Sequence, residues 1–178
     1  TPDQVMDQLR YIHGVIDKFE RVAATPDQGW ACWALSNHDC KRIATRWGGA
    51  NPNPALLRLA PALQLSLRGA SCIYQGDELG LPEADIAFED LQDPYGITMW
   101  PDFKGRDGCR TPFPWDSTAP DLGFGGAAKN AKPWLPISEK QRPLAANAQE
   151  ADAGALLHHY RHLLQWRRKH PALLQGDL

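Results

Sequence analysis

Three polar residues, Asn37-His38-Asp39, follow the apolar run Trp30–Leu35 with only Ser36 between them. An unbroken apolar run of this length is typical of a strand that is buried on both faces. Enzymes built on parallel sheets carry their chemistry at the carboxyl ends of such strands, so the His-Asp pair is a candidate site. An Asx-type turn that merely ends the strand explains the same residues. At this point both interpretations are open.

Two helices are predicted in the first third of the chain. The first begins at Thr1, with Pro2 at the first helical position. Its buried stripe is Val5, Leu9, Ile12, Ile16, Phe19 and Ala23. The second runs from about Pro54 to Arg68 and is expected to pack through Leu56, Leu59, Leu63 and Leu67.

A second buried strand is predicted at Ala70–Tyr74, and it ends in Gln75-Gly76-Asp77-Glu78. Periodicity then disappears over residues 81–150, where Pro, Gly and Asp are frequent. A loop of this length inside a compact domain is usually functional or disordered, and its scattered aromatic residues argue against disorder. A last helix is expected from about Asp152 to Lys169, with Leu156, Leu157, Tyr160, Leu163 and Leu164 on one side.

The order of these elements predicts an α/β fold with two parallel strands. Two strands are too few for a stable sheet, and a (β/α)₈ TIM barrel typically needs about 250 residues. We therefore interpret residues 1–178 as a portion of such a barrel, with unpaired strand edges that favour self-association. Residues 81–150 are interpreted as its active-site loop.

Composition excludes several classes of protein. The 178 residues carry a formal charge of only −2, so no nucleic-acid partner is implied. The basic run Arg167-Arg168-Lys169-His170 is expected to complement the dipole at the end of the last helix. No apolar stretch approaches the roughly 20 residues of a membrane span. Thr1-Pro2-Asp3-Gln4 does not open a signal peptide, and without an initiator Met the true N-terminus is expected upstream.

Four cysteines, Cys32, Cys40, Cys72 and Cys109, lack the spacing of a zinc site or of a redox motif. Two of them lie in apolar, strand-like runs. They are interpreted as reduced structural thiols, which is typical of a cytoplasmic protein.

Four ordered motifs carry a resemblance to a known family. They are Ser36-Asn37-His38-Asp39, Thr45-Arg46-Trp47-Gly48, Tyr74-Gln75-Gly76-Asp77-Glu78-Leu79-Gly80 and Lys104-Gly105-Arg106-Asp107-Gly108-Cys109-Arg110-Thr111-Pro112. Together they resemble the α-glucosidase and oligo-1,6-glucosidase branch of the α-amylase family of glycoside hydrolases. The resemblance covers essentially the whole chain, from helix six of the catalytic barrel through strands seven and eight to helix eight. The Arg106 segment, with Gln92–Gly96 before it, is similar to that of bacterial exo-acting α-glucosidases.

The resemblance implies three site residues. Asp39 is similar to the third carboxylate of the family, which binds sugar hydroxyls in subsite −1 and favours the oxocarbenium-like transition state. His38 is similar to the neighbouring hydrogen-bond donor. Arg106 is similar to an arginine on the pocket floor that holds the nonreducing-end glucose and pairs with an aspartate located before Thr1.

Other polar residues of the motifs are expected to be structural. Asp107 and Arg110 are interpreted as residues that brace the loop. Gln75, Asp77 and Glu78 are likewise interpreted as structural, although carboxylates at a strand end also fit a catalytic role. Ser71 and Asp77 depart from the Pro and Glu that the family often has, and neither departure touches the expected sugar contacts.

The resemblance implies a retaining, exo-acting α-glucosidase that acts on short α-glucosides. Its nucleophile and its acid/base would come from strands four and five, before Thr1, so the chain alone is expected to be inactive. No cofactor is implied, and the metal sites of the family would lie elsewhere. The alternative is a non-catalytic α/β interaction module derived from such an enzyme.

Overall fold

A computed structural model describes residues 10–11, 14–15, 17–18, 21, 31–125 and 132–175. Strand β1 spans Cys32–Ala34 and strand β2 spans Ala70–Cys72. Among residues 31–125 and 132–175, the helices are α1 (Ile43–Gly48), α2 (Pro54–Ser66), α3 (Pro94–Thr98), α4 (Ala146–Ala151), α5 (Leu156–Lys169) and α6 (Ala172–Gln175). Three 3₁₀ segments lie at Phe88–Asp90, Asp107–Cys109 and Glu139–Leu144. The apolar stripe predicted for the first helix lies outside the described residues.

The two strands pair in parallel, as predicted, with Cys32 opposite Ala70 and Ala34 opposite Cys72. Helix α2 connects them, and such a β-α-β crossover brings the carboxyl ends of both strands to the same edge of the sheet. The turn that carries His38 and Asp39 and the start of the long loop therefore begin side by side.

The strands are less buried than predicted. Cys32 and Ala34 of β1 and Ala70 and Cys72 of β2 are exposed, whereas Trp33 and Ser71 between them are half-buried. Helix α2 lies against the Trp33 side, because the Gln64 amide donates hydrogen bonds to the carbonyls of Trp33 and Cys72 at 2.8 and 3.0 Å. The exposed positions alternate with the half-buried ones, so one face of the sheet is more open than the face that α2 covers.

Helix α2 begins as predicted but presents a different face to the core. The Asn53 side chain accepts a hydrogen bond from the Ala55 N–H at the N-cap, and Pro54 opens the helix. Leu59 of the predicted stripe is 62% exposed. The buried positions are Ala60, Pro61, Gln64 and Leu65. A polar residue takes the central place because the two strands present carbonyl groups that a leucine would leave unpaired.

Arg167 does not end its helix as a solvated charge. It is buried, and its guanidinium donates hydrogen bonds to the carbonyls of Leu65, Leu67 and Gly69, where α2 ends and β2 begins. The expectation that the whole basic run complements the α5 dipole is therefore wrong for Arg167. The residue joins α5 to the end of α2, where the last carbonyls of a helix have no partner within the helix itself.

The long loop is packed rather than open. Leu79, Leu81 and Phe113 form a buried cluster against Leu144, Ala146 and Leu157. A second cluster contains Ala84, Ile86 and Leu91. Among the described residues, no helix is long and apolar enough to cross a membrane.

Candidate active site

The turn after β1 is both an Asx turn and an exposed polar site. The Asn37 side chain accepts a hydrogen bond from the Asp39 N–H at 2.8 Å, which fixes the turn. The side chains of His38 and Asp39 are 70% and 51% exposed, and His38 Nε2 lies 3.4 Å from Asp39 Oδ2. The two interpretations of this tripeptide are therefore compatible.

Two arginines of the long loop converge on Asp39. Arg106 Nη1 and Arg110 Nη2 donate hydrogen bonds to Asp39 Oδ1 at 2.9 and 3.0 Å. Arg110 Nε also donates to the His38 carbonyl at 2.7 Å. Asp39 and Arg106, which lie 67 residues apart in the chain, are thus brought together beside His38.

Arg106 has a second carboxylate partner within the chain. Its Nε and Nη2 donate to Asp93 Oδ2 and Oδ1, both at 2.9 Å, in the forked geometry that suits a guanidinium. The Asp93 side chain has no exposed surface, and the hydrogen bonds from Arg106 hold its pKa well below the usual range. An aspartate before Thr1 was expected as the partner of Arg106. In the described chain the guanidinium is paired without it.

Asp107 braces the loop, as predicted. Its Oδ2 accepts hydrogen bonds from the backbone N–H groups of Gln92 and Asp93 at 2.6 and 2.8 Å. Arg110 was also expected to brace the loop, yet its guanidinium lies on Asp39 itself. Asp93 and Arg110 are therefore the site residues that sequence reasoning missed.

A buried arginine, Arg42, connects the segments that carry the site residues. Arg42 Nη1 and Nη2 donate to the carbonyls of Gln75 and Cys109 at 2.7 and 2.8 Å. The Arg42 N–H donates to Glu83 Oε2 at 2.9 Å. Arg42 thus links the turn after β1, the end of β2 and the segment between Arg106 and Arg110. Cys109 is fully buried, and burial raises the pKa of its thiol to about 11, which disfavours the reactive thiolate.

The carboxylates after β2 are structural in their contacts. Asp77 is 4% exposed, and burial raises its pKa to about 6 although the Ser36 hydroxyl hydrogen-bonds to it. The Glu78 carboxylate accepts a hydrogen bond from the Gly76 N–H at 2.9 Å. Both carboxylates bind groups at the strand ends, whereas the carboxylate of Asp39 faces solvent.

The raised pKa of Asp77 predicts a pH dependence of stability. Folded Asp77 titrates near pH 6 and an unfolded aspartate near 3.8, so the folded state binds more protons between these values. The free energy of unfolding should then fall as pH rises from about 4 to 6, by on the order of 3 kcal/mol from this group. Asp77→Asn should remove this contribution. Urea unfolding of both proteins across pH 4–8 measures the difference, and an unchanged slope would contradict the assignment.

The described residues contain no group of three or more His, Cys, Asp or Glu side chains that could hold a metal ion. What the site offers instead is an exposed carboxylate with a histidine and two guanidiniums around it. Such a set of hydrogen-bond acceptors and charged donors suits the hydroxyl groups of a sugar.

Comparison with known proteins places the chain in a family. Residues 6–176 match the alpha-amylase catalytic domain. A probable alpha-glucosidase of Rhizobium meliloti is 50% identical over the whole chain, and an oligo-1,6-glucosidase of Parageobacillus thermoglucosidasius is 28% identical over 84% of it. The crystal structure of an alpha-glucosyl transfer enzyme matches 94% of the chain with 53% identity and a TM-score of 0.84.

The chain spans about 30% of the length of these relatives, namely 30% of the R. meliloti protein and 30% of the transfer enzyme. A trehalulose synthase structure also matches, with 28% identity and a TM-score of 0.77. The match covers 93% of this chain and 32% of the synthase. The two parallel strands and their helices are thus part of a TIM barrel. The chain belongs to the alpha-amylase catalytic-domain family of glycoside hydrolases.

Proposed function

We propose that the chain is the C-terminal part of the catalytic barrel of a retaining, exo-acting α-glucosidase. In this assignment β1 and β2 are barrel strands seven and eight, and residues 1–178 run from about helix six to helix eight. Residues 81–150 are the active-site loop between strand eight and helix eight. The substrate is a short α-glucoside that loses glucose from its nonreducing end.

The convergence of Arg106 on Asp39 carries this proposal, because it joins the turn after one strand to the loop after the next. Asp39 binds sugar hydroxyls in subsite −1, and its charge stabilises the oxocarbenium-like transition state. His38 donates to the same hydroxyls. Arg106 holds the terminal glucose with those N–H groups that its two carboxylate partners leave free.

The nucleophile and the acid/base belong to the part of the enzyme outside this chain. A retaining glycosidase needs two carboxyl groups about 5 Å apart, one ionised and one with a raised pKa. Asp93 does not fit the acid, because Arg106 lowers its pKa. No organic cofactor enters this mechanism, since proton transfer and displacement by carboxylates suffice.

A non-catalytic module is the second candidate, and the exposed strand residues Cys32, Ala34, Ala70 and Cys72 favour it. A partner or a second copy would then cover the open sheet. The coding region before Thr1 decides between the two. An open frame with the Asp and Glu motifs of the family supports the enzyme, and its absence supports the module.

Arg106→Ala in the full-length enzyme tests the proposed site. We expect KM for maltose to rise and kcat/KM to fall at least about tenfold, since truncating one partner of a buried charge pair leaves the other unpaired. The midpoint of thermal unfolding should also fall, because Asp93 would stay buried without its counter-charge.

Arg161→Ala is the matched control. Arg161 pairs with Glu150 at 2.7 Å, and both side chains are about half exposed. An exposed ion pair of this kind contributes at most about 1 kcal/mol, so this variant should keep the parent kcat/KM. Equal kcat/KM for Arg106→Ala and the parent would remove Arg106 from the sugar site.

A further inference from the structure

Asp93 meets Arg106 on a different edge of the guanidinium from Asp39. The Nε–Nη2 edge faces Asp93, while Nη1 faces Asp39. We propose that Asp93 is a positioning residue, which fixes the Arg106 guanidinium so that its free edge meets the terminal glucose beside Asp39. This inference rests on the proposed function and names the group that orients its arginine.

The contacts of Asp93 are complete and mostly with one residue. Oδ2 accepts from the Arg106 N–H at 2.8 Å and from Nε at 2.9 Å, and Oδ1 accepts from Nη2 at 2.9 Å. The remaining hydrogen bond comes from the Tyr95 N–H at 3.2 Å. Three of the four therefore come from Arg106, so both its backbone and its side chain are held by one buried carboxylate.

The backbone is shaped to allow this pair. Gly105 has φ +76°, and a Cβ there would lie 2.9 Å from Asp93 Oδ2. A Cβ on Gly96 would lie 2.6 Å from the Lys104 carbonyl oxygen. Two glycines thus let the segments of Asp93 and Arg106 cross closely. Asp107 holds the Asp93 N–H from the other side, so the carboxylate is fixed before substrate binds.

A capping role alone does not explain Asp93. It is the N-cap of α3, and its Oδ1 accepts the Tyr95 N–H as a cap should. Asn caps a helix about as well as Asp. An amide, however, has only one acceptor oxygen, and its NH₂ group would face the arginine. It therefore cannot accept hydrogen bonds from both Nε and Nη2 of Arg106. Asp93→Asn therefore separates positioning from capping.

The test is a double-mutant cycle in the full-length enzyme, with maltose hydrolysis as the readout. We expect Asp93→Asn to lower kcat/KM roughly 10-fold to 100-fold, mainly through KM, as befits the loss of charge-assisted hydrogen bonds that orient a binding group. In the Arg106→Ala background the same change should cost little further, because its target is gone. A loss that adds fully to that of Arg106→Ala would overturn the inference, as would an unchanged kcat/KM for Asp93→Asn.

Two further variants complete the design. Asp85→Asn removes a charge from the same loop, where exposed Asp85 pairs with Lys104, and it should keep the parent kcat/KM. If Asp93→Asn does not fold, Asp93→Glu keeps the charge and displaces the guanidinium, and its rise in KM should likewise vanish in the Arg106→Ala background. If the full-length parent does not hydrolyse maltose, the proposed function is overturned. If the parent is active and the Asp93 variants have the same kcat/KM as the parent, only the positioning role is overturned.

Discussion

Asp39→Asn in the full-length enzyme is expected to lower kcat on the order of 10²-fold or more. The carboxylate is the only group that the turn after β1 presents with a negative charge, and it faces solvent between Arg106 and Arg110. The amide keeps the shape of the side chain but not the charge that matches a developing oxocarbenium ion. The loss should therefore appear in kcat and not only in KM.

The contacts of Asp39 add a second expectation for this variant. Its Oδ1 alone accepts from both arginines, so the single oxygen of the amide can keep both hydrogen bonds while the charge is lost. Asp39 is exposed and the fold does not depend on its burial, so the midpoint of thermal unfolding should change little. Steady-state kinetics and thermal unfolding of the same preparations separate the two effects. A near-normal kcat would remove Asp39 from the site.

Local patterns predicted the elements that position the site. The apolar runs around Trp33 and Ser71 indicated strands, and the α2 segment between them implied parallel pairing, which the structure confirms. These features follow from periodicity and from the handedness of crossovers. The start of the loop beside Asp39 followed from the same argument.

Other features depended on tertiary contacts that no local pattern encodes. Gln64 is buried because two strand carbonyls face it, and Arg167 is buried because α2 ends beneath it. Neither a glutamine inside a helix nor an arginine in its last turn carries a local sign of burial. The exposure of Cys32 and Cys72 likewise follows from how many strands surround them, which their own sequence does not specify.

The two missed site residues show the same limit. Asp93 precedes a proline and is the N-cap of α3, and its pairing with Arg106 depends on a crossing of two loop segments. Arg110 lies four residues after Arg106 in the same motif, and this repeated arginine was the available signal. The 3₁₀ turn at Asp107–Cys109 lies between the two arginines, and both guanidiniums reach Asp39.

The chain by itself is expected to hydrolyse no α-glucoside. Double displacement needs an ionised nucleophile and a carboxylic acid about 5 Å apart, both open to the substrate. Among the described residues, Asp93 is buried and held ionised by Arg106, while Asp77 has the raised pKa of an acid but is almost fully buried beside Ser36. Neither of these two buried carboxylates offers Asp39 a catalytic partner.

Release of nitrophenol from a nitrophenyl α-glucoside, compared between the purified chain and the full-length enzyme, measures this directly. Asp39→Asn and Arg106→Ala versions of the isolated chain serve as controls, because turnover that survives both changes comes from a contaminating enzyme. Turnover by the unsubstituted isolated chain that either change abolishes would show that these 178 residues contain a complete catalytic site. The assignment of nucleophile and acid/base to the part before Thr1 would then be wrong, although Asp39 and Arg106 would remain in the site.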